Sequence, residues 1–303
     1  MDYIPSPCFL GQFLTLLIPF LSHLSQGALV PPQKNITVPA VYVFGDSIVD
    51  TGNNNYLFSV VKCNFPPYGR DFMGGRATGR CSNGRLPSDL LARKLGIKET
   101  LPAYLDPNLQ PEDLVTGISF ASSSTGYDPL TAKVSSVLSL SDQLKLFKEY
   151  KDKVKTLVGE ERSATIISHS LYVVCAGSND FLITYFTTPL RRKKYDVPAY
   201  TDLMLRSASS FLQKLYGLGA RRIAVFSIPA VGCVPTARFI FGGGQGGCVK
   251  SVNQAGEIFN AKLYSKLDSL NNKFPQARMA YIDVYFPFLR LNQKPHDYGN
   301  RFF

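Results

Sequence analysis

Histidine is scarce in this sequence: His23, His169 and His296 are the only three in 303 residues. No Cys/His/carboxylate spacing suits a metal either, so no metal site is expected. No glycine-rich phosphate loop opens a helix, and no nucleotide or other cofactor is implied. Past the N-terminus, no apolar run is long enough to cross a bilayer as a helix. Internal repeats and long low-complexity tracts are missing too. Acidic residues are few, 22 against 33 Lys and Arg, which leaves a formal net charge of +11. No recognised nucleic-acid module accompanies that charge, so nucleic acid is not the expected partner. A basic chain of this kind suits acidic cell-wall polysaccharide or a membrane surface. Arg191–Lys194, RRKK, is the one dense basic cluster, and its plain reading is a solvated loop.

What is present is a globular composition, 45% hydrophobic and 18% charged, enough for one large domain or two small ones. Phe9–Leu21, FLGQFLTLLIPFL, has the length of a signal-peptide core, and small residues follow at Ser25–Ala28. Residues 1–8 carry no Lys or Arg, but the run is short for an anchor and Pro19 interrupts it. The expectation is a signal peptide over 1–27, a linker over 28–39 and one domain over 40–303. Secretion to the extracellular space makes Asn35-Ile36-Thr37 a glycan acceptor at Asn35. It also permits disulfides. Cys8 leaves with the signal, so Cys63, Cys81, Cys175, Cys233 and Cys248 remain, an odd number. Cys233 and Cys248 flank FIFGGGQGG, whose glycines let the ends approach, and are the expected pair. Cys175 lies in an apolar run and reads as an inert core thiol.

Strand and helix patterns alternate from Ala40 onward. Ala40–Phe44, Ile118–Ala121, Leu171–Cys175, Arg222–Phe226 and Met279–Val284 read as strands. Leu140–Val158, Ala199–Tyr216 and Val252–Leu270 read as helices from their apolar spacing. Strands separated by helices imply a parallel sheet. The order of the strands is not readable from the sequence.

The chain is organised around Val41–Asn55, VYVFGDSIVDTGNNN. Val41–Phe44 suits a strand buried on both faces, and it stops at Gly45. Ser47 thus sits just past the C-terminal end of a buried strand, the edge where open α/β sheets bind ligands. The bland alternative is a simple Gly-Asp-Ser turn. The G-x-S-x-G elbow does not apply, because Val49 occupies the second glycine position.

GDSIVDTGNNN resembles the first block of the plant GDSL esterase/lipase family, within the SGNH hydrolases. FPPYGRDF, ATGRCSNGR, ISFASSSTGYDP, VVCAGSNDF and SIPAVGCVP follow in the family's order, from about Ala40 to the C-terminus. The resemblance implies an α/β/α three-layer sandwich on a flavodoxin-like sheet of five parallel strands. It implies a secreted serine ester hydrolase acting on small-molecule or polymer acyl esters, and a link to lipid degradation.

Serine-driven ester hydrolysis needs a nucleophile, a base and donors aimed at the oxyanion. The resemblance makes Ser47 the nucleophile and gives its N–H to the oxyanion hole. Asn179, after the strand Leu171–Cys175, offers uncharged amide donors on the same sheet edge. Gly45, Asp46 and Gly177 support the loops, and Asp180 reads as structural. Where the family has ASGG, this chain has Ala121-Ser122-Ser123-Ser124. The matching donor is Ser123, or Ser124 if the register slips by one. A serine there is strained if φ must be positive.

The family's base and its orienting acid lie in a D-x-x-H-P block that these residues do not contain. His23 belongs to the signal, His169 precedes a strand and so lies at the wrong edge, and KPHDYGN around His296 matches an ordinary surface segment. The sequence ends at Phe303, within the segment that normally precedes the block. The expectation is a truncated member without its last helix, impaired as an esterase. An alternative is a non-catalytic protein that binds acyl or wall ligands, or an inactive isoform. Tyr281, Val284 and Phe286 are expected to lie uncovered beside an edge strand.

Overall fold

The computed structural model describes residues 37–242 and 247–299. The expected signal, His23 and Asn35 lie outside the described residues.

Five short strands carry the molecule. In chain order the elements are β1 (Val41–Gly45), α1 (Pro87–Lys94), α2 (Pro111–Thr116), β2 (Gly117–Ser119) and α3 (Pro129–Ser135). Then come α4 (Leu140–Val158), α5 (Glu160–His169) and β3 (Leu171–Cys175). A π-helix (Asp180–Thr187), α6 (Pro189–Arg192), α7 (Val197–Gly217) and β4 (Arg222–Phe226) follow. The last elements are α8 (Pro235–Phe241), α9 (Lys250–Lys273), β5 (Arg278–Ile282) and α10 (Tyr285–Gln293).

Every residue of β1 is buried, as its uninterrupted apolar run requires. Its neighbours are β2 and β3, and the sheet order is β2-β1-β3-β4-β5, parallel throughout. This is the flavodoxin-like order. The chain runs from β1 outward to β2, then returns to place β3 on the other side of β1. The switch-point crevice expected of this strand order lies beyond the C-terminal ends of β1 and β3.

The sheet has one fully clad face. Tyr42, Phe44, Tyr172, Val174, Ile223 and Val225 point into a core shared with α4, α7 and α9. α4 starts at a capping box between Ser139 and Asp142 and ends at Gly159. Its buried stripe, Leu144, Phe147, Tyr150 and Val154, meets β1, with the Tyr42 and Phe147 rings 5.6 Å apart. Burying each such side chain is worth about 1.5–3 kcal/mol. The opposite face is covered by α1 only over β1 and β3, where Ala92 and Leu101 meet Val41, Val43 and Val173.

Boundaries differ from expectation at three strands. β1 runs on into Gly45, and β2 stops at Ser119 because it pairs only with the first three residues of β1. β5 begins and ends earlier, at Arg278 and Ile282. It is an edge strand, as anticipated, but the bare side chains are not the expected set. Tyr281 packs against the core, its ring 5.5 Å from Tyr264, and Val284 is half-buried. Phe286 is exposed, while the thinly covered strand face carries Phe226, Ala280 and Ile282.

Cys233 and Cys248 form the expected disulfide, with Cα atoms 4.2 Å apart. Tyr285, Phe288 and Leu289 of α10 pack around it. A second disulfide, Cys63–Cys81, pairs two cysteines left unassigned by the sequence. Cys175 is free and buried, its thiol pKa pushed well up by desolvation.

Candidate active site

Ser47 lies two residues beyond the end of β1, in the turn Asp46–Asp50 at the mouth of the crevice. Gly45 makes the turn possible. Its φ is +134°, and a Cβ there would fall 1.8 Å from the Cys175 carbonyl oxygen. The Asp46 N–H donates to that same carbonyl at 2.9 Å. Gln143 of α4 brackets Gly45 from below. It accepts from the Gly45 N–H at 2.8 Å and donates its Nε2 to the Gly45 carbonyl at 2.9 Å.

Asp46 closes the turn. Its Oδ1 accepts the Ile48 N–H at 3.0 Å, and its carbonyl accepts the N–H groups of Val49 and Asp50. Its Oδ2 is buried without a partner among the described residues. Desolvation, then the nearby carboxylates of Asp180 and Asp50, push its pKa up to about 7. Ser47 is half-buried, and neither its N–H nor its hydroxyl has a partner among the described residues.

Asn179 follows β3 through Ala176-Gly177-Ser178, on the adjacent strand end. It is half-buried and donates one amide hydrogen to the Thr125 carbonyl at 2.9 Å, which leaves the second free. Gly177, at φ +116°, has no room for a Cβ beside Ile228. Asp180 is fully buried and ties down the 127–131 segment. It accepts from the N–H groups of Tyr127 (2.7 Å) and Asp128 (3.0 Å) and from Thr131 Oγ1 (2.6 Å). Desolvation outweighs those bonds and lifts its pKa to about 7.

The two candidate serines are not equivalent. The Ser123 N–H donates to Asp50 Oδ2 at 2.9 Å, and its hydroxyl to the same oxygen at 2.8 Å. That amide is therefore engaged away from the crevice. Ser124 has φ +68°, is half-exposed, and its N–H has no partner among the described residues.

His169 sits at the end of α5, exposed, its Nδ1 3.0 Å from the Thr165 carbonyl. It precedes β3, at the sheet edge opposite Ser47. His296 is exposed in a single 3₁₀ turn, Pro295–Tyr298. Neither imidazole is bonded to Ser47. Among the described residues, no group of three His, Cys, Asp or Glu could hold a metal ion.

Sequence reasoning missed the groups that hold the site from a distance. Gln143 is one, and Asn53 and Asn54 are others. Asn53 Nδ2 donates to the carbonyls of Ser119 and Ala121, and Asn54 Nδ2 to those of Val61 and Ser123. The Asn-rich tail read as a turn, yet both side chains are buried. A polar Gln on the buried stripe of α4 was the signal available for Gln143.

A serine at the switch point of a doubly wound sheet, with an uncharged amide on the next strand end, is the arrangement a serine ester hydrolase of the α/β type would use. The model of the GDSL-like lipase/acylhydrolase family matches residues 41–301, and the chain belongs to that family. It is 50% identical over 284 residues to the GDSL esterase/lipase EXL3 of Arabidopsis thaliana, covering 94% of this chain and 77% of that one. It is 46% identical over 312 residues to the GDSL esterase/lipase EXL2 of the same plant, covering 98% and 81%. By family, the chain is a carboxylic ester hydrolase.

Proposed function

We propose that Ser47 attacks the carbonyl carbon of an acyl ester, and that the oxyanion is met by the Ser47 N–H, the Asn179 carboxamide and the Ser124 N–H. The observation that carries this reading is the shared sheet edge. Ser47, with hydroxyl and amide both unpartnered, follows β1, and Asn179, which keeps one amide hydrogen free, follows the adjacent β3. Ser124 replaces Ser123 in this reading, because the Ser123 amide is held by Asp50. Gly45, Asp46 and Gly177 support the site through the backbone.

No imidazole among the described residues is hydrogen-bonded to Ser47. A missing general base typically removes about 10²–10⁴ in rate. An oxyanion hole with substrate binding alone retains about 10³–10⁴ over water. On this reading, ester turnover that relies on the described residues alone is slow. The same observation favours, as a second reading, a protein that binds an acyl ligand without turning it over.

Hydrolysis of p-nitrophenyl butyrate, followed with peptide mapping for a butyryl group, separates the two. The expected result is slow turnover, no more than about 10³–10⁴ over the solution rate, with a butyryl adduct on Ser47 that Ser47→Ala lacks. A large rate that depends on Ser47 would mean that another residue is the base, with His296→Ala the next variant. No adduct at all, with the acyl ligand still bound, would favour the second reading. Two disulfides support a secreted protein, since such bonds persist in oxidising compartments. The Phe9–Leu21 run supports a signal peptide, and secretion in turn makes Asn35 a glycan acceptor.

A further inference from the structure

Ser47's loop continues into a tip that is difficult to explain as part of a water-soluble surface. Phe58 and Val60 are as exposed as in an extended chain, at 105% and 97%. Nothing about the tip is loose. The Lys62 ammonium donates to three of the loop's own carbonyls, Asn54 (2.5 Å), Asn55 (3.1 Å) and Leu57 (2.7 Å). Ser59 Oγ donates to the Ser135 carbonyl at 2.9 Å, and Cys63 is fixed by its disulfide to Cys81. The fold therefore holds two apolar side chains out in water on a braced loop.

The surface around the tip continues in a defined direction. Leu57–Lys62 shares a concavity with Val134 of α3, which is itself exposed next to exposed Lys133. At the start of α3, the Asp128 carboxylate accepts two bonds from Arg191, at 2.6 and 2.8 Å, which fixes α6 beside α3. Exposed Leu190, Arg192, Lys193 and Lys194 follow from there. The three segments 56–62, 129–136 and 188–195 contain six basic residues and no acidic one. Lys133, Arg192, Lys193 and Lys194 make no ion pair among the described residues.

We propose that this face, the braced Phe58/Val60 tip with the α3 and α6 cations, docks on an anionic lipid surface. Apolar side chains that enter the interfacial region and cations that meet acidic headgroups are the two components of peripheral membrane binding. An acidic polysaccharide matches the charge but offers no apolar phase for Phe58 and Val60. A second copy of a chain of net charge +11 repels this face. The inner end of the same loop is tied to the site, since Asn54 bonds the Ser123 carbonyl at 3.2 Å. Docking would thus hold the mouth of the Ser47 crevice at the lipid. Binding does not depend on the chemistry of Ser47, so it stands apart from the proposed reaction.

The test is co-sedimentation of the protein with phosphatidylcholine vesicles, with and without phosphatidylserine. The protein should bind the anionic vesicles, and more weakly as salt is raised. Phe58→Ser/Val60→Ser should lose about tenfold or more in affinity, while Phe58→Leu keeps it. Arg192→Gln/Lys193→Gln/Lys194→Gln should lose about fivefold per charge. All five residues are exposed, so unchanged thermal melts are expected to accompany these losses. The proposal is overturned by failure to bind anionic vesicles. It is overturned equally if Phe58→Ser/Val60→Ser binds as well as the parent, which is charge-only attachment of the kind an acidic polymer gives. A concentration-dependent dimer that Phe58→Ser dissolves would assign the face to a second copy instead.

Discussion

Asp46 is the residue whose surroundings argue most directly with its chemistry. It is buried, it holds the serine turn through Ile48, and one of its oxygens is unpaired. A proton on that oxygen relieves the cost of an unpaired buried charge. Its pKa of about 7 lies above the usual carboxylate range, so the folded chain binds this proton more tightly than the unfolded chain. Stability therefore is highest below about pH 4 on this account and falls as pH rises to about 7. Asp180, also raised to about 7, adds a slope of the same sign. Asp46→Asn keeps the bond to the Ile48 N–H and abolishes the titration. Urea unfolding from pH 5 to pH 8 should show the parent losing stability on the order of 1.4 kcal/mol per unit of pKa shift. Asp180 and Asp50, both also raised by burial, still titrate in Asp46→Asn, which should therefore lose less than the parent but not nothing. Parallel slopes for the two proteins would rule out Asp46 as a source.

At the scale of elements, the long connection after β1 behaves as a braced strut. Lys62 donates to three carbonyls of the loop, of which only that of Asn54 also accepts a backbone N–H, from Leu57. Lys62→Met should leave the global melt nearly unchanged but open residues 54–61 to limited proteolysis, detected by mass mapping of the first cuts. Cleavage no faster than in the parent would show that the disulfide alone holds the loop. This strut was not legible in the sequence, where the same residues read as a turn-rich insertion. The difference is physical. β3, β4 and α4 are set by local apolar patterns, and their expected limits agree with the structure. Gln143, Asn53 and Asn54 act mostly on backbone groups between 52 and 98 residues away, with shorter-range bonds only from Asn54 to Val61 and from Gln143 to Leu138. No periodicity reports such bonds. Cys63–Cys81 was equally hidden, because five remaining cysteines permit several pairings. The nucleophile turn was visible because a buried strand, a glycine and a small hydroxyl residue are adjacent in the chain.

The whole molecule is unevenly clad. On one face, helices α4, α7 and α9 bury a continuous core across the sheet. On the other, α1 and its flanking loops cover Val41, Val43 and Val173, and β4 and β5 have no helix packed over them among the described residues. The register puts Ala224 opposite Ala280 and Phe226 opposite Ile282 on that thin side. Parallel sheets are stable when both faces are covered, so two positions on this one face should respond differently to the same charge. Val173 is 1% exposed in the covered region, and Val173→Lys forces an ammonium into an apolar layer with no partner. Ala280 is exposed, and its lysine side chain would reach water. Thermal and urea melts should show Val173→Lys losing more than about 4 kcal/mol, and Ala280→Lys staying within about 0.5 kcal/mol of the parent. A large loss at Ala280 would mean that the β4–β5 face is covered in solution, and that the two halves of the sheet are packed alike.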